Sequence, residues 1–96
     1  MENSHYFYVL ECNDGSYYGG YTNNVERRIS QHNKGKGAKY TRAKRPVNLK
    51  HLEKFQTKSE ALRAEYRFKQ LTRKQKEHYL LKEVNKYENT TKLSSS

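Results

Sequence analysis

Residues 17–32 of the chain read Tyr17-Tyr18-Gly19-Gly20-Tyr21-Thr22-Asn23-Asn24-Val25-Glu26-Arg27-Arg28-Ile29-Ser30-Gln31-His32, and this stretch decides the fold. Its tyrosine-rich first half predicts a β-strand that breaks at the two asparagines. A short helix is predicted next, with Asn23 as its N-cap, because an asparagine side chain accepts the free N–H groups of a first helical turn. The stretch therefore predicts a strand that leads directly into a helix.

The predicted helix has one apolar face, which contains Val25 and Ile29. Arg28 and His32 lie at the edge of that face, about 60° and 20° from Val25 at 100° per residue. An arginine and a histidine that lean toward the core side of so short a helix require an explanation. Both are therefore candidate site residues.

A second tyrosine-rich strand is predicted over residues 6–11, with Tyr8 and Leu10 on the same side. The turn Asn13-Asp14-Gly15 connects the two strands, and its length sets their register. A two-residue loop places Tyr8 and Tyr18 on opposite faces of the sheet. A three-residue loop, with Gly15 in the left-handed conformation, pairs Leu10 with Tyr18 and places both tyrosines on one face.

Gly19 and Gly20 weaken a strand unless something must approach its backbone closely. One explanation is a β-bulge at this position. The other is room for a nucleic-acid backbone beside Tyr18, and the two explanations are compatible.

The composition favours a polyanionic partner. Twenty Lys and Arg residues against ten Asp and Glu residues give a net charge of +10, which attracts polyanions by counterion release and electrostatic steering.

Residues 34–50 contain seven of these cations and no acidic residue. The glycine-punctuated part of this region, residues 33–46, is predicted to be a loop. Tyr40 and Thr41 are interleaved with its cations, which favours contact with a phosphate backbone. The predicted nucleic-acid-binding residues are Lys34, Lys36, Lys39, Arg42, Lys44 and Arg45.

The single cysteine, Cys12, excludes an intramolecular disulfide and a cysteine-rich zinc site, which fits a reducing compartment. No apolar run approaches the ~20 residues of a membrane span, and no signal peptide opens the chain. We therefore expect a cytoplasmic protein without membrane contact. Its predicted organisation is a flexible start at residues 1–5, a single domain at 6–87 and a disordered tail at 88–96.

A third strand is predicted over residues 47–55, where the alternation of apolar and polar residues is imperfect. Further on, Thr72-Arg73-Lys74-Gln75 is a capping box and predicts a last helix. The apolar stripe of that helix comprises Leu80, Val84 and Tyr87.

The helix between these two elements carries a candidate metal ligand. It opens at a capping box, Thr57-Lys58-Ser59-Glu60, and buries a stripe that includes Ala61 and Phe68. Glu65 lies about 40° from Ala61, at the edge of the buried face. Exposed pairing with Lys69 explains Glu65 without a function. The other explanation is that Glu65 binds a hard divalent cation.

Two tyrosine-rich strands, a turn and a helix with an R-x-x-x-H pattern resemble the GIY-YIG nuclease domain. The family's two tripeptides correspond to Tyr6-Phe7-Tyr8 and Tyr18-Gly19-Gly20, and the following helix and the downstream Glu65 complete the pattern. The resemblance covers roughly residues 6–70 and is closest to the small stand-alone bacterial members. It implies an α/β fold with a small three-stranded antiparallel sheet flanked by helices. It also requires both tyrosines on one face, so we expect the three-residue loop.

Some residues depart from the family pattern. Phe7 and Gly19 stand where the tripeptides have their central isoleucines, and Tyr6 replaces the first glycine. Tyr21 stands where excision-repair relatives tend to carry a lysine.

The resemblance implies an endonuclease that hydrolyses DNA phosphodiester bonds with one Mg²⁺ or Mn²⁺ ion. Glu65 would bind the ion, and Arg28 would neutralise a non-bridging phosphate oxygen. Tyr18 would act as the general base, with Tyr8 and His32 in supporting or proton-relay roles, although the sequence does not settle which of the two tyrosines takes the proton. The family's substrate choice generally comes from attached domains or partners, so we expect a targeting protein partner in a process such as DNA repair.

Two functions from other classes remain open at this point. One is a catalytically silent nucleic-acid-binding module that keeps the fold and the basic loop. The other is a small basic accessory protein that binds another protein or a ribonucleoprotein.

Overall fold

The computed structural model describes residues 4–81, which contain three strands and four helical segments. These are β1 (His5–Glu11), β2 (Tyr17–Thr22), α1 (Val25–Asn33), α2 (Lys39–Arg42), β3 (Asn48–Phe55), α3 (Lys58–Lys69) and α4 (residues 73–81). The predicted tail at 88–96, the end of the predicted domain with Val84 and Tyr87, and the first three residues lie outside the described part. No helix within residues 4–81 is long and apolar enough to cross a membrane.

The three strands form one antiparallel sheet in the order β2-β1-β3, which confirms the predicted α/β class. Successive side chains of the central strand β1 point to opposite faces. On one face, Phe7 and Val9 pack against Phe68 of α3. On the other face, Tyr8 and Leu10 pack beside residues of α1 and the segment that precedes β3. The sheet is therefore covered by helices on both faces.

The β1–β2 connection is the predicted three-residue loop. The backbone N–H of Cys12 donates to the Ser16 carbonyl at 2.8 Å, and the N–H of Gly15 donates to the Cys12 carbonyl at 2.9 Å. Gly15 adopts a φ of 84°, the left-handed conformation that favours glycine. Leu10 pairs with Tyr18 as expected, so Tyr8 and Tyr18 share a face of the sheet.

The N-cap of α1 is Asn24, so the prediction of Asn23 was wrong by one residue. The Asn24 side-chain oxygen accepts a hydrogen bond from the Arg27 N–H at 3.1 Å. Thr22 fixes this choice, because its hydroxyl oxygen accepts from the Asn24 N–H at 3.1 Å. Two neighbouring asparagines are equally good capping residues by type, and only the preceding threonine separates them.

The loop prediction for residues 33–46 was wrong at residues 39–42, which form α2. A single helical turn leaves no apolar periodicity in the sequence, so the glycines on its N-terminal side dominated the prediction. Thr41, on this turn, is completely buried.

Strand β3 begins at Asn48, and the register of its pairing with β1 shifts between Val9 and Leu10. Val9 pairs with His51, whereas Leu10 pairs with Leu49, so Lys50 lies between two paired positions. This bulge explains the imperfect alternation of the third strand.

Both predicted capping boxes begin helices. The Glu60 N–H donates to the Thr57 hydroxyl at 3.1 Å at the start of α3. At the start of α4, the Thr72 N–H donates to the Gln75 side chain at 2.9 Å, and the Gln75 N–H donates to the Thr72 hydroxyl at 3.2 Å. These local signals are confirmed because the side chains that satisfy a helix start lie within three residues of it.

Candidate active site

A chain of buried hydrogen bonds joins Tyr8, His32 and Thr41. The Tyr8 hydroxyl lies 2.9 Å from His32 Nε2, and Thr41 Oγ1 lies 2.7 Å from His32 Nδ1. The Thr41 hydroxyl donates to the Ala38 carbonyl at 3.0 Å. Because a hydroxyl has a single proton, Thr41 Oγ1 accepts from His32 Nδ1–H. His32 Nε2 then carries the lone pair that accepts the Tyr8 proton.

Arg28 extends this chain at the Tyr8 end. Its Nε donates to the Tyr8 oxygen at 3.3 Å, and its Nη1 donates to the Gln31 side-chain oxygen at 3.1 Å. Two of the five guanidinium donors are thus used to orient the group, and three remain. Arg28 is half-buried, as expected at the edge of the helix face. His32 is fully buried, deeper than predicted.

The titration of the buried pair agrees with this assignment. Burial raises the pKa of Tyr8 to about 12, with further upward contributions from the charges of Tyr18 and Glu65, and the Arg28 hydrogen bond opposes the shift. Burial, reinforced by the positive charge of Arg28, lowers the pKa of His32 to about 4. At neutral pH, Tyr8 therefore keeps its proton and His32 is uncharged, the states that a Tyr8-to-His32 hydrogen bond requires.

Tyr18 lies beside this buried pair and is itself half-buried. Its ring centroid lies 5.3 Å from that of His32 and 6.4 Å from that of Tyr8. The exposed Tyr40 of α2 stacks on the outer side, with the ring centroids 5.9 Å apart and the planes at 27°. Lys69 Nζ of α3 lies 5.9 Å from the Tyr18 ring centroid. Tyr18 is thus the point at which α2, α3 and the buried pair meet.

Glu65 of α3 makes the ion pair with Lys69 that its sequence position predicts, and its side chain is largely sheltered from solvent. Its Oε2 accepts from Lys69 Nζ at 2.8 Å, which is the predicted pair. Its side chain is only 18% exposed, against 49% for Lys69. Its charge also contributes to the raised pKa of Tyr8, so this carboxylate acts on the same site.

Gly19 and Gly20 lack side chains, which lets aromatic rings on both faces of the sheet pack closely against the edge strand β2. A Cβ atom at Gly19 would lie 3.2 Å from the Phe68 ring, and one at Gly20 would lie 2.5 Å from the Tyr8 hydroxyl oxygen. The β1–β2 register is continuous from Tyr6 to Glu11, so the bulge explanation was wrong. The space beside the glycines is filled by the protein's own aromatic rings.

A divalent metal ion fits this site only with ligands from outside the protein. Within residues 4–81, no group of three or more His, Cys, Asp and Glu side chains could hold an ion. Glu65 is the candidate carboxylate ligand, because its charge contributes to the raised pKa of Tyr8. Mg²⁺ keeps several waters and is commonly bound through one or two carboxylates together with substrate phosphates. A single carboxylate therefore suits an ion whose shell is completed by water and substrate.

The predicted nucleic-acid-binding cations divide into two groups. Lys44 Nζ lies 3.3 Å from Asp14 Oδ2 and 4.0 Å from the Tyr40 ring centroid. Arg45 Nε donates to the Arg42 carbonyl at 2.8 Å. These two cations hold the segment in place. The other four have exposed side chains: Lys34, Lys36, Lys39 and Arg42.

Two contributions to the site could not be identified from the sequence. Thr41 and Tyr40 are recognisable there only as polar and aromatic residues within a basic loop. The structure places Thr41 against His32 and Tyr40 against Tyr18. The available signal was the position of Tyr40 and Thr41 between two cations, Lys39 and Arg42. This signal does not identify the residues that Tyr40 and Thr41 contact.

Comparison with known proteins identifies the class. Residues 4–87 match the GIY-YIG catalytic domain, so the chain belongs to the GIY-YIG family. This confirms the resemblance found in the sequence, and this family of domains is associated with nuclease activity.

Among its relatives are proteins designated UPF0213. One from Bacillus velezensis is 68% identical over 78 residues, which cover 81% of this chain and 79% of the relative. One from Bacillus cereus is 58% identical over 94 residues, covering 98% of this chain and 97% of the relative. The solution NMR structure of a UPF0213 protein from Bacillus halodurans has 53% identity and a TM-score of 0.59, with 95% and 97% coverage. Relatives of nearly the same length agree with the predicted similarity to stand-alone bacterial members.

Proposed function

We propose that this protein is a metal-dependent endonuclease that hydrolyses phosphodiester bonds of DNA with one divalent ion. The observation that carries the proposal is the buried chain from Arg28 through Tyr8 to His32, placed beside the Glu65 carboxylate. It combines a fixed cation, a proton-transfer pair and a metal ligand, which are the groups that phosphodiester hydrolysis uses.

The exposed cations of the basic segment support a nucleic-acid substrate. Lys36 precedes α2, and Lys39 and Arg42 lie on this turn, whose Thr41 and Tyr40 contact His32 and Tyr18. Contacts from such side chains to phosphates are independent of sequence. DNA is the favoured substrate. We propose that a protein partner directs the enzyme to particular DNA structures, because substrate choice in this family generally comes from attached domains or partners.

Arg28 and Glu65 would divide the phosphate chemistry between them. The remaining donors of the oriented Arg28 guanidinium suit a non-bridging phosphate oxygen, because their planar geometry matches two acceptors. Glu65 would hold the ion by exchanging its contact with Lys69, whose side chain is about half exposed. When bound there, Mg²⁺ or Mn²⁺ would polarise the phosphate and stabilise the leaving oxygen.

Tyr8 and His32 are arranged to move the proton of the attacking water. The Tyr8 oxygen would accept that proton while its own proton passes to His32 Nε2, along the existing 2.9 Å hydrogen bond. His32 begins uncharged, so it can accept a proton. A substrate phosphate beside Arg28 would offset the positive charge that helps to lower the pKa of His32. Tyr18, the base suggested by the sequence, remains the alternative acceptor.

The substitution Glu65→Gln tests this proposal directly. It keeps the size of the side chain and removes the negative charge that an Mg²⁺ site needs. We expect the variant to fold, to bind DNA without metal at least as well as the parent, and to cleave nothing. The measurement is Mg²⁺-dependent cleavage over a panel of branched and linear DNAs, together with binding in the absence of metal.

Glu60→Gln is the matched control, because it makes the same change of charge on the exposed first turn of the same helix. It should cleave at the parent's rate. Cleavage by Glu65→Gln at the parent's rate under saturating Mg²⁺ would remove Glu65 from the mechanism. A parent protein that binds the panel and cleaves none of it would favour the silent binding module, and failure to bind nucleic acid would favour the accessory protein.

A further inference from the structure

Thr41 is a completely buried threonine in an otherwise basic segment, and its hydroxyl contacts the buried histidine. We propose that Thr41 is a positioning residue that fixes the tautomer of His32 and thereby the direction of the Tyr8 hydrogen bond. The consequence for turnover rests on the proposed nuclease function. The hydrogen-bond assignment itself does not depend on it.

The hydrogen-bond chain is fully satisfied in only one of the two His32 tautomers. With Nδ1 protonated, every donor has an acceptor: Arg28 donates to Tyr8, Tyr8 to His32, His32 to Thr41, and Thr41 to the Ala38 carbonyl. With Nε2 protonated instead, the Tyr8 oxygen would receive N–H groups from both His32 and Arg28. The Tyr8 proton would then have no acceptor among the described residues. A buried network that satisfies every member is favoured over one that leaves a donor unmatched.

Thr41 decides between these arrangements because its own proton is directed elsewhere. The Ala38 carbonyl, three residues earlier in the chain, accepts the Thr41 hydroxyl at 3.0 Å. Only lone pairs of the Thr41 oxygen are then left to face His32, and they require an N–H at Nδ1. The hydroxyl of Thr41 therefore acts on Tyr8 through His32, without touching the reacting atoms.

The local sequence is built for this contact. A Cβ atom at Gly37 would overlap the His32 ring, so a glycine lets the chain cross directly over the imidazole. One helical turn then places Thr41 inward, while Lys39 and Arg42 of the same turn are exposed. The turn that offers cations to the nucleic acid is thus the turn that orients His32. Displacement of α2 would disturb substrate contacts and proton transfer together.

The experiment records long-range ¹⁵N–¹H NMR spectra of the histidine rings, which distinguish Nδ1–H from Nε2–H imidazoles. The parent should show His32 as the Nδ1–H tautomer. Thr41→Val keeps the shape and removes the hydroxyl, so the Nε2–H tautomer should become the main form. Thr41→Ser restores the hydroxyl and should restore the parent tautomer. In cleavage assays, Thr41→Val should lower kcat by about 10- to 100-fold with little change in KM, as loss of an orienting partner does.

Thr57→Val is the control, because it removes a threonine hydroxyl that caps α3. It should lower stability and leave both the His32 tautomer and kcat unchanged. An Nε2–H tautomer in the parent would overturn the proposal, and this measurement needs no variant that might fail to fold. An Nδ1–H tautomer that persists in Thr41→Val would also overturn it. Since the spectra require no cleavage, a parent without nuclease activity refutes the proposed function and leaves the tautomer test decisive.

Discussion

Strand β1 buries side chains on both faces of the sheet, but the two faces bury different chemistry. Phe7 and the adjacent Tyr8 are at most 1% exposed. Phe7 packs against the Phe68 ring, with centroids 5.5 Å apart. Tyr8 instead places its hydroxyl in the hydrogen-bond chain with His32. Equal burial therefore serves ring packing at Phe7 and a chain of specific polar atoms at Tyr8.

The comparison matters because buried polar groups stabilise a fold poorly. A buried hydroxyl or imidazole without a partner costs about 1–3 kcal/mol, and a satisfied one returns only a modest net gain. Among the described residues, no buried side-chain nitrogen or oxygen lacks a hydrogen-bond partner. Every buried polar atom on the Tyr8 face must therefore be hydrogen-bonded, and these bonds add little net stability. This arrangement agrees with a role in chemistry. We expect changes of shape at Phe7 and Phe68 to affect stability alone.

The largest difference between the faces should appear with Tyr8→Phe and Phe68→Leu. Tyr8→Phe removes one oxygen, so we expect the cleavage rate to fall by about 10²- to 10⁴-fold, the range for a lost acid–base group. Phe68→Leu should lower the free energy of unfolding by on the order of 1–2 kcal/mol through lost packing. Its cleavage rate should equal the parent's wherever both are folded. Single-turnover cleavage and chemical denaturation measure the two quantities.

These two variants would break the comparison if they behaved alike. Similar losses of cleavage in Tyr8→Phe and Phe68→Leu would mean that the Tyr8 face is ordinary core. A normal cleavage rate in Tyr8→Phe, combined with an inactive Tyr18→Phe, would mean that Tyr18 accepts the proton of the attacking water.

A smaller effect is expected from the same substitution at two neighbouring glycines. Gly20→Ala would place a methyl group 2.5 Å from the Tyr8 hydroxyl oxygen, on the Tyr8 face of the sheet. We expect about a 10²-fold loss of cleavage, since a misplacement near 1 Å can cost that much. Gly19→Ala meets the Phe68 and Phe7 rings at 3.2 Å and 3.3 Å, so slight ring movement should accommodate it. A larger loss of cleavage in Gly19→Ala than in Gly20→Ala would reverse the roles assigned to the faces.

Local signals made most of the fold predictable. Gly15 marked the hairpin turn, and the family resemblance then selected the three-residue loop whose register brings Tyr8 and Tyr18 together. The capping threonines Thr57 and Thr72 marked helix starts correctly because capping partners are close in sequence. The candidate site followed from the family pattern carried by these elements.

The contacts that were missed depend on tertiary structure. Thr41 is nine residues beyond His32, and their contact depends on the position of the four-residue helix α2 against α1. The depth of His32 could not be read from its angle to Val25, because α2 covers it from outside the helix. Glu65 belongs to α3, which covers the opposite face of the sheet, so its electrostatic effect on Tyr8 could not be read from the sequence.

The smallest expected effect is a pH dependence of stability that originates on the Tyr8 face. The pKa of His32 is about 4 in the folded protein and 6.5 as the ordinary value, so the unfolded chain binds a proton first as the pH falls. Stability from this group is complete above pH 6.5 and is lost progressively toward pH 4. At pH 5 the loss should be about 2 kcal/mol in the free energy of unfolding.

His32→Gln should remove this component when denaturation at pH 7.5 and pH 5 is compared. Asp14 does not interfere, because hydrogen bonds from Ser16 lower its pKa to about 2 and its contribution is lost below the histidine range. An equal loss between pH 7.5 and pH 5 in the parent and in His32→Gln would show that His32 is not held uncharged, and the proton route from Tyr8 would lose its acceptor.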